Sequence, residues 1–85
     1  MRDDLTIRVS CDEALVLFEF FARFYQDGQP IRFKSNAEYV ALSKIFGQLE
    51  ETLVEPFQSD YEELLALASA RVADGYTGLA SGVEP

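Results

Sequence analysis

The chain has 85 residues, a hydrophobic share of 48% and a formal net charge of −8. This length allows one domain, and the apolar content is that of a folding chain rather than a disordered one. One cysteine and no histidine exclude an intrachain disulfide and remove the commonest nitrogen ligand of structural metal sites. A domain this small has a marginal core, so we expect self-association to supply the missing stability.

The negative charge is concentrated in the second part of the chain. Residues 1–34 hold five basic against six acidic side chains, whereas residues 35–85 hold two against nine. Such a surface repels phosphate backbones and anionic lipids, so we expect direct binding neither to nucleic acid nor to membranes. A basic protein is a compatible partner, although excess acid also serves simply to keep a small protein soluble.

The first ten residues, MRDDLTIRVS, predict a cytoplasmic protein. They contain two acids where a signal peptide carries bases, and no uncharged stretch long enough to span a membrane follows them in this sequence. The most apolar segment is interrupted by Glu19 and Arg23. A single unpaired cysteine agrees with a reducing compartment.

Two short segments show the alternation of a half-buried strand. In LTIRV, over 5–9, Leu5, Ile7 and Val9 alternate with polar residues, and IRF, over 31–33, is a shorter example. An intervening helix favours parallel strands joined by a right-handed crossover, but an isolated two-stranded parallel ribbon is weak. The sequence leaves open whether these segments pair within one chain or between two, or whether IRF is an extended loop.

Three Ser-x-x-Glu sequences, at Ser10–Glu13, Ser35–Glu38 and Ser59–Glu62, predict three helix starts. In such a capping box the serine oxygen accepts from the backbone N–H three residues on, and the glutamate accepts from the serine N–H. Each box precedes a segment with helical apolar periodicity. The predicted helices cover Cys11–Gln26, Asn36–Val54 and Asp60–Ala73.

These elements predict a mostly α, three-helix domain with one or two short strands, in the order β-α-(β)-α-α. Pro56 disfavours helical geometry at Glu55 and so ends the second helix, and Gly75 follows the third. The domain occupies residues 1–74, and the Gly-rich segment 75–85 forms a flexible tail. We expect the domain to be a homodimer.

The first predicted helix is apolar around roughly two-thirds of its circumference, more than a surface helix needs. Its polar residues share one narrow stripe: Asp12, Glu19, Arg23 and Gln26. Of these, Glu19 and Arg23 are spaced to pair. Either the other elements wrap this helix completely in a monomer, or part of its Phe-rich face contacts another chain. The residues predicted for self-association are Val16, Phe20 and Phe24.

An acidic corner is predicted where the second and third helices meet. Its carboxylates are Glu50, Glu51, Glu55, Asp60, Glu62 and Glu63. The spacing of a calcium loop is missing, so a solvated corner is expected rather than a metal site, and a basic protein surface is its best partner. Phe57 and Tyr61 lie among these acids, where they would supply aromatic anchors for such a partner, but we assign both rings to the core.

Catalytic and cofactor-binding patterns are absent from the sequence. Without histidine there is no histidine base and no Ser-His-Asp or Cys-His arrangement. The five glycines form neither a GxGxxG pattern nor a P-loop. Cys11 lies at a helix start, but the neighbouring Asp12 and Glu13 oppose thiolate formation, so we interpret it as an inert, partly buried cysteine. The sequence predicts a non-enzyme without cofactor or metal.

The functional prediction is a small non-catalytic interaction or structural module that self-associates through its aromatic-rich first helix. The alternative is an acidic inhibitor, immunity or antitoxin-like protein that covers a basic protein surface. In size, acidity and helix content the chain is similar to the immunity proteins of nuclease colicins. It departs from them in lacking their paired tyrosines before a proline, since EPF and SDYEE do not match that pattern.

Overall fold

The computed structural model describes residues 3–26 and 33–83. Within these ranges the chain forms three α-helices and one short 3-10 turn between the second and third. They are α1 (Cys11–Gln26), α2 (Asn36–Thr52), the 3-10 turn (Glu55–Phe57) and α3 (Tyr61–Val72). The predicted mostly helical, three-helix architecture is confirmed. α1 has the predicted bounds, α2 ends two residues early, and α3 is shorter by one residue at each end.

The predicted strand over residues 5–9 is not observed. This segment has no regular secondary structure, and Leu5 and Ile7 are 70% and 76% exposed. A strand needs a neighbour to accept and donate its backbone hydrogen bonds, and the described residues provide none. Of the second predicted strand, residues 31 and 32 lie outside the described residues, and Phe33 lies in irregular chain.

The start of α1 has the predicted capping box. The Ser10 N–H donates to Oε1 of Glu13 at 2.8 Å, and the Glu13 N–H donates to Oγ of Ser10 at 3.0 Å. Two backbone donors that the helix itself cannot satisfy are therefore bonded. This reciprocal pair explains why α1 begins at the residue that the sequence predicts.

The other two predicted boxes are rearranged. Before α2 the Glu38 carboxylate reaches one residue further back than expected and accepts from the Lys34 N–H at 2.7 Å. In α3 the N-cap is Asp60 rather than Ser59, so Glu62 lies one position too early to complete a box. Neither start therefore has the reciprocal serine–glutamate pair that is found at α1.

The core lies between α1 and α3, which run antiparallel. Leu15 on α1 is 4% exposed and Ala68 on α3 is 1% exposed, and Phe18 and Leu53 complete the buried cluster. The small Ala68 side chain lets the two helices approach closely. α2 joins this pair through Phe46, whose ring centroid lies 5.2 Å from that of Phe18.

The fold leaves many apolar side chains uncovered. Among the described residues, large apolar side chains on every helix are exposed, and examples are Phe20 on α1, Ile45 on α2 and Leu67 on α3. No residue of α2 is buried. The three helices therefore cover only part of their combined apolar surface.

Candidate interaction surfaces

An open apolar groove of about 490 Å³ runs between α1 and α3. It is lined by Val16, Leu17, Glu19, Phe20, Arg23, Leu65 and Ser69; we call it the α1–α3 groove. Phe20 is 41% exposed and Leu17 is 38% exposed, while Val16 is half-buried. The groove therefore presents a continuous apolar strip that other parts of the described chain do not cover.

The structure brings the three residues predicted for self-association together on this side of α1. Val16 and Phe20 line the α1–α3 groove. Phe24 packs edge-on against Phe20, with 4.5 Å between ring centroids. The Arg23 guanidinium lies 5.8 Å from the centroid of the Phe20 ring, within the range of a cation–π contact. Phe20 is therefore held in place from two directions while its outer edge faces solvent.

The polar stripe of α1 faces α3 at two points rather than solvent alone. At one end, Arg71 Nε and Nη2 donate to the Asp12 carboxylate at 2.7 and 2.8 Å. The hydrogen bond from Arg71 is the main cause that lowers the pKa of Asp12, and the same bond raises the pKa of Arg71. This bidentate pair ties the start of α1 to the end of α3.

The second tie joins the middle of α1 to the start of α3. The Tyr61 hydroxyl donates to Oε1 of Glu19 at 2.8 Å. Burial first, and then the bond and charge of Glu19, raise the pKa of Tyr61 above its ordinary value. In place of the expected Glu19–Arg23 pair, Glu19 bonds across helices and Arg23 lies over Phe20. The only sequence signal for these ties was the two-turn spacing of Asp12 and Glu19.

A second open groove, of about 380 Å³, shares Glu19 with the α1–α3 groove and is also lined by Tyr61. Its lining combines four aromatic rings with two carboxylates: Phe18, Glu19, Ala22, Phe46, Glu50, Pro56, Phe57 and Tyr61. We call it the acid–aromatic groove. Phe18 is 9% exposed and belongs to the core, whereas Phe57 is 77% exposed. The groove therefore has an aromatic floor, an exposed aromatic edge and acidic walls.

Assignment of Phe57 to the core is wrong, and assignment of Tyr61 is confirmed. The 3-10 turn carries Phe57 outward, and the junction that it was expected to fill is occupied by Leu53, which is 7% exposed. Tyr61 is half-buried and packs against the core cluster. Cys11 was expected to be partly buried, but the first turn of α1 leaves it exposed.

The predicted acidic corner is divided by the fold. Glu50 lines the acid–aromatic groove. Glu55 is half-buried, and its Oε1 accepts from the Val54 N–H at 3.2 Å. The others are exposed and line neither groove: Glu51, Asp60, Glu62 and Glu63. Of the six predicted acids, only Glu50 therefore lies beside aromatic rings in the lining of a described groove.

Two further observations bear on the chemistry of the described residues. Across residues 3–26 and 33–83, no three acidic or cysteine side chains converge as metal ligands. None of α1, α2 and α3 combines the length and apolar character that a membrane crossing requires.

Comparison of the chain with protein-family models, curated proteins and solved structures gave no significant match.

Proposed function

We propose that the chain is a small non-catalytic interaction module that pairs with a second copy of itself through the α1–α3 groove. The observation that carries this proposal is the partial exposure of Phe20 on an apolar strip that includes Val16 and Leu17. Aromatic side chains that are fixed in place and half-exposed are the usual anchors of protein interfaces. We expect the homodimer in the cytoplasm.

The apolar character of the groove supports a copy of the same chain as the partner. The exposed side chains of Leu17 and Phe20 lie together in its lining, and a standard interface covers about 800 Å² on each partner. A two-fold interface on the α1–α3 groove would bury the Phe20 ring of both copies at once. A small domain with a short core gains most from such burial.

The test is to place a charge on the strip. We expect Phe20→Asp to shift the dimer toward monomer and to lower the melting temperature, because a buried unpaired carboxylate at the interface is strongly unfavourable. Mass in solution is measured by light scattering after gel filtration over a range of protein concentrations. Val40→Asp, at a position 62% exposed on α2, introduces the same charge and should leave the mass unchanged.

Three results would overturn the proposal. The first is a wild-type chain that stays monomeric at every concentration tested. The second is a Phe20→Asp variant with the same mass and melting temperature as the wild type. The third is an equal loss of dimer in Phe20→Asp and Val40→Asp, which would mean that added negative charge, and not the loss of the groove, prevents association.

A second candidate function is that of an acidic protein that covers a basic protein surface, as an inhibitor, immunity protein or antitoxin does. The charge of the second half of the chain supports it, and so does the position of Glu50 beside exposed Phe57. The two candidates respond differently to salt. Electrostatic partnering weakens steeply between low and high ionic strength, whereas a Phe-lined dimer does not.

A further inference from the structure

Both grooves contain Glu19 and an aromatic ring, but the acid–aromatic groove adds a second carboxylate and has four rings instead of one. Its exposed edge is the Phe57 ring, its inner wall is Phe46, and Glu50 stands beside them. An apolar ring that is 77% exposed gains nothing for the folded monomer. The sequence places a proline before it, which restricts the backbone of this short turn. The exposed ring on this turn therefore points to an external ligand.

The carboxylates of the groove define the charge of that ligand. Glu19 has one oxygen bonded by Tyr61 at 2.8 Å, which fixes the carboxylate at the groove wall. Glu50 is exposed and lines the same groove. Two carboxylates beside aromatic faces repel anions and attract a cation with an apolar stem. Acids of the neighbouring corner, such as Glu51 and Glu62, strengthen this field.

Among biological cations, arginine fits these groups better than lysine. Its planar guanidinium stacks on aromatic faces and bonds a carboxylate with two parallel N–H groups. Phe57 offers the face, and Glu50 offers the carboxylate. The volume of about 380 Å³ is open at one side, so the side chain can enter from a peptide that stays outside.

We propose that the acid–aromatic groove binds an arginine side chain carried on a basic, exposed peptide segment of another protein. The guanidinium stacks on Phe57 and pairs with Glu50, and its methylene stem lies on Phe18 and Phe46. This binding goes beyond self-association and does not require it, because Glu50 and Phe57 line the acid–aromatic groove and not the α1–α3 groove. Exposed acids of the corner steer the basic segment toward the groove.

The test uses a fluorescein-labelled six-residue peptide of alternating arginine and glycine, and a matched lysine–glycine peptide. We expect the full chain to bind the arginine peptide about threefold to tenfold more tightly than the lysine peptide. Glu50→Gln and Phe57→Ala should each weaken binding by about tenfold or more, as loss of a central anchor does. Both positions are exposed, so neither substitution should unfold the chain, and far-UV circular dichroism checks this.

Asp74→Asn is the matched control, since it removes the same charge from an exposed site away from both grooves. We expect it to change affinity by less than about twofold, as for a distant rim charge. The titration is repeated with Phe20→Asp, and affinity for the peptide should be unchanged whether or not that variant dimerises. This arm separates failure of the arginine site from failure of the dimer.

Four results would overturn the inference. The first is an absence of peptide binding by the wild-type chain. The second is an equal loss of affinity in Asp74→Asn and Glu50→Gln, which would mean unspecific attraction by the acidic surface. The third is unchanged affinity in Phe57→Ala. Amide chemical shifts that move at Glu62 and Glu63 but not around Phe57 would place the peptide on the acidic corner and would also contradict the proposed site.

Discussion

The α1–α3 pair and α2 are held in the fold by different means. α1 and α3 share the buried Leu15–Ala68 seam and are joined by polar ties at Asp12 and Glu19. α2 is the longest helix, with 17 residues, yet none of them is buried. Its main attachment is the Phe46 ring, which packs on aromatic rings of α1.

This difference shows what fixes the register of two helices in a small domain. Apolar rings attract one another with little directional preference, so several relative positions have similar energies. Hydrogen bonds at 2.7 to 2.8 Å tolerate much less displacement. We therefore expect α1 and α3 to be the more persistent unit, and α2 to open locally at lower cost.

The largest expected effect is at the seam. Leu15→Ala should lower the free energy of unfolding by about 2–5 kcal/mol, because it leaves a cavity against Ala68. For a domain of this size such a loss threatens the whole fold. Urea denaturation followed by circular dichroism measures it.

The matched control for the seam is Leu67→Ala, at a position on α3 that is 55% exposed. It should cost less than about 1 kcal/mol, since exposed sites contribute little. Equal costs for the two variants would show that α1 and α3 do not form the stabilising unit.

An intermediate effect is expected at the Glu19–Tyr61 tie. Tyr61→Phe should cost about 1 kcal/mol, because it removes a half-buried hydrogen bond to a carboxylate. Tyr76→Phe changes a tyrosine that is 67% exposed and should be neutral. Urea denaturation at pH 7 compares the two variants, and a neutral Tyr61→Phe would mean that the tie does not stabilise the pair.

The pH dependence of the same tie has a defined sign. The pKa of Tyr61 is raised above its ordinary value of 10.0, so the unfolded chain loses this proton at lower pH than the folded chain. The contribution of the Glu19–Tyr61 bond to folding stability is therefore complete below pH 10 and decreases as the pH rises above 10. Tyr61→Phe should show a smaller loss of stability above pH 10 than the wild type.

The smallest effect is expected at the exposed Asp12–Arg71 pair, whose side chains are 32% and 59% exposed. The pKa of Asp12 is lower in the folded chain than its ordinary value of 3.8. The contribution of the pair to folding stability is therefore present above pH 3.8 and is lost as the pH falls below that value. Asp12→Asn should remove this component of acid destabilisation, and Asp74→Asn should not. Thermal melts between pH 2 and 7 at low salt measure it, and a melting curve for Asp12→Asn with the wild-type acid dependence would contradict the assignment.

The helices could be predicted from the sequence because their signals are local. Ser10 and Glu13 bond each other across one turn, so the start of α1 is encoded in four residues. The strand over 5–9 could not be decided in the same way, because a strand depends on a distant partner. The pairing of Glu19 with Tyr61 was also missed, since it depends on the register of two helices.

The candidate surfaces were predictable in part. The wide apolar face of α1 left open whether the other elements would cover Val16 and Phe20, and the structure shows both residues lining an open groove. The outward position of Phe57 was not predictable, because it depends on which side chain fills the α2–α3 junction. Leu53 fills it at 7% exposure, and hydrophobicity alone does not distinguish these two residues.

The Asp12–Arg71 contact also has a topological consequence. Since these side chains meet at 2.7 Å, the polypeptide leaves the helical domain beside the point where it entered. The start of α1 and the end of α3 thus lie close together, and domains whose ends are close together tolerate circular permutation. A gene that begins at α2 and joins α3 to Ser10 through a short glycine–serine linker should encode the same domain, with the capping box and both polar ties retained.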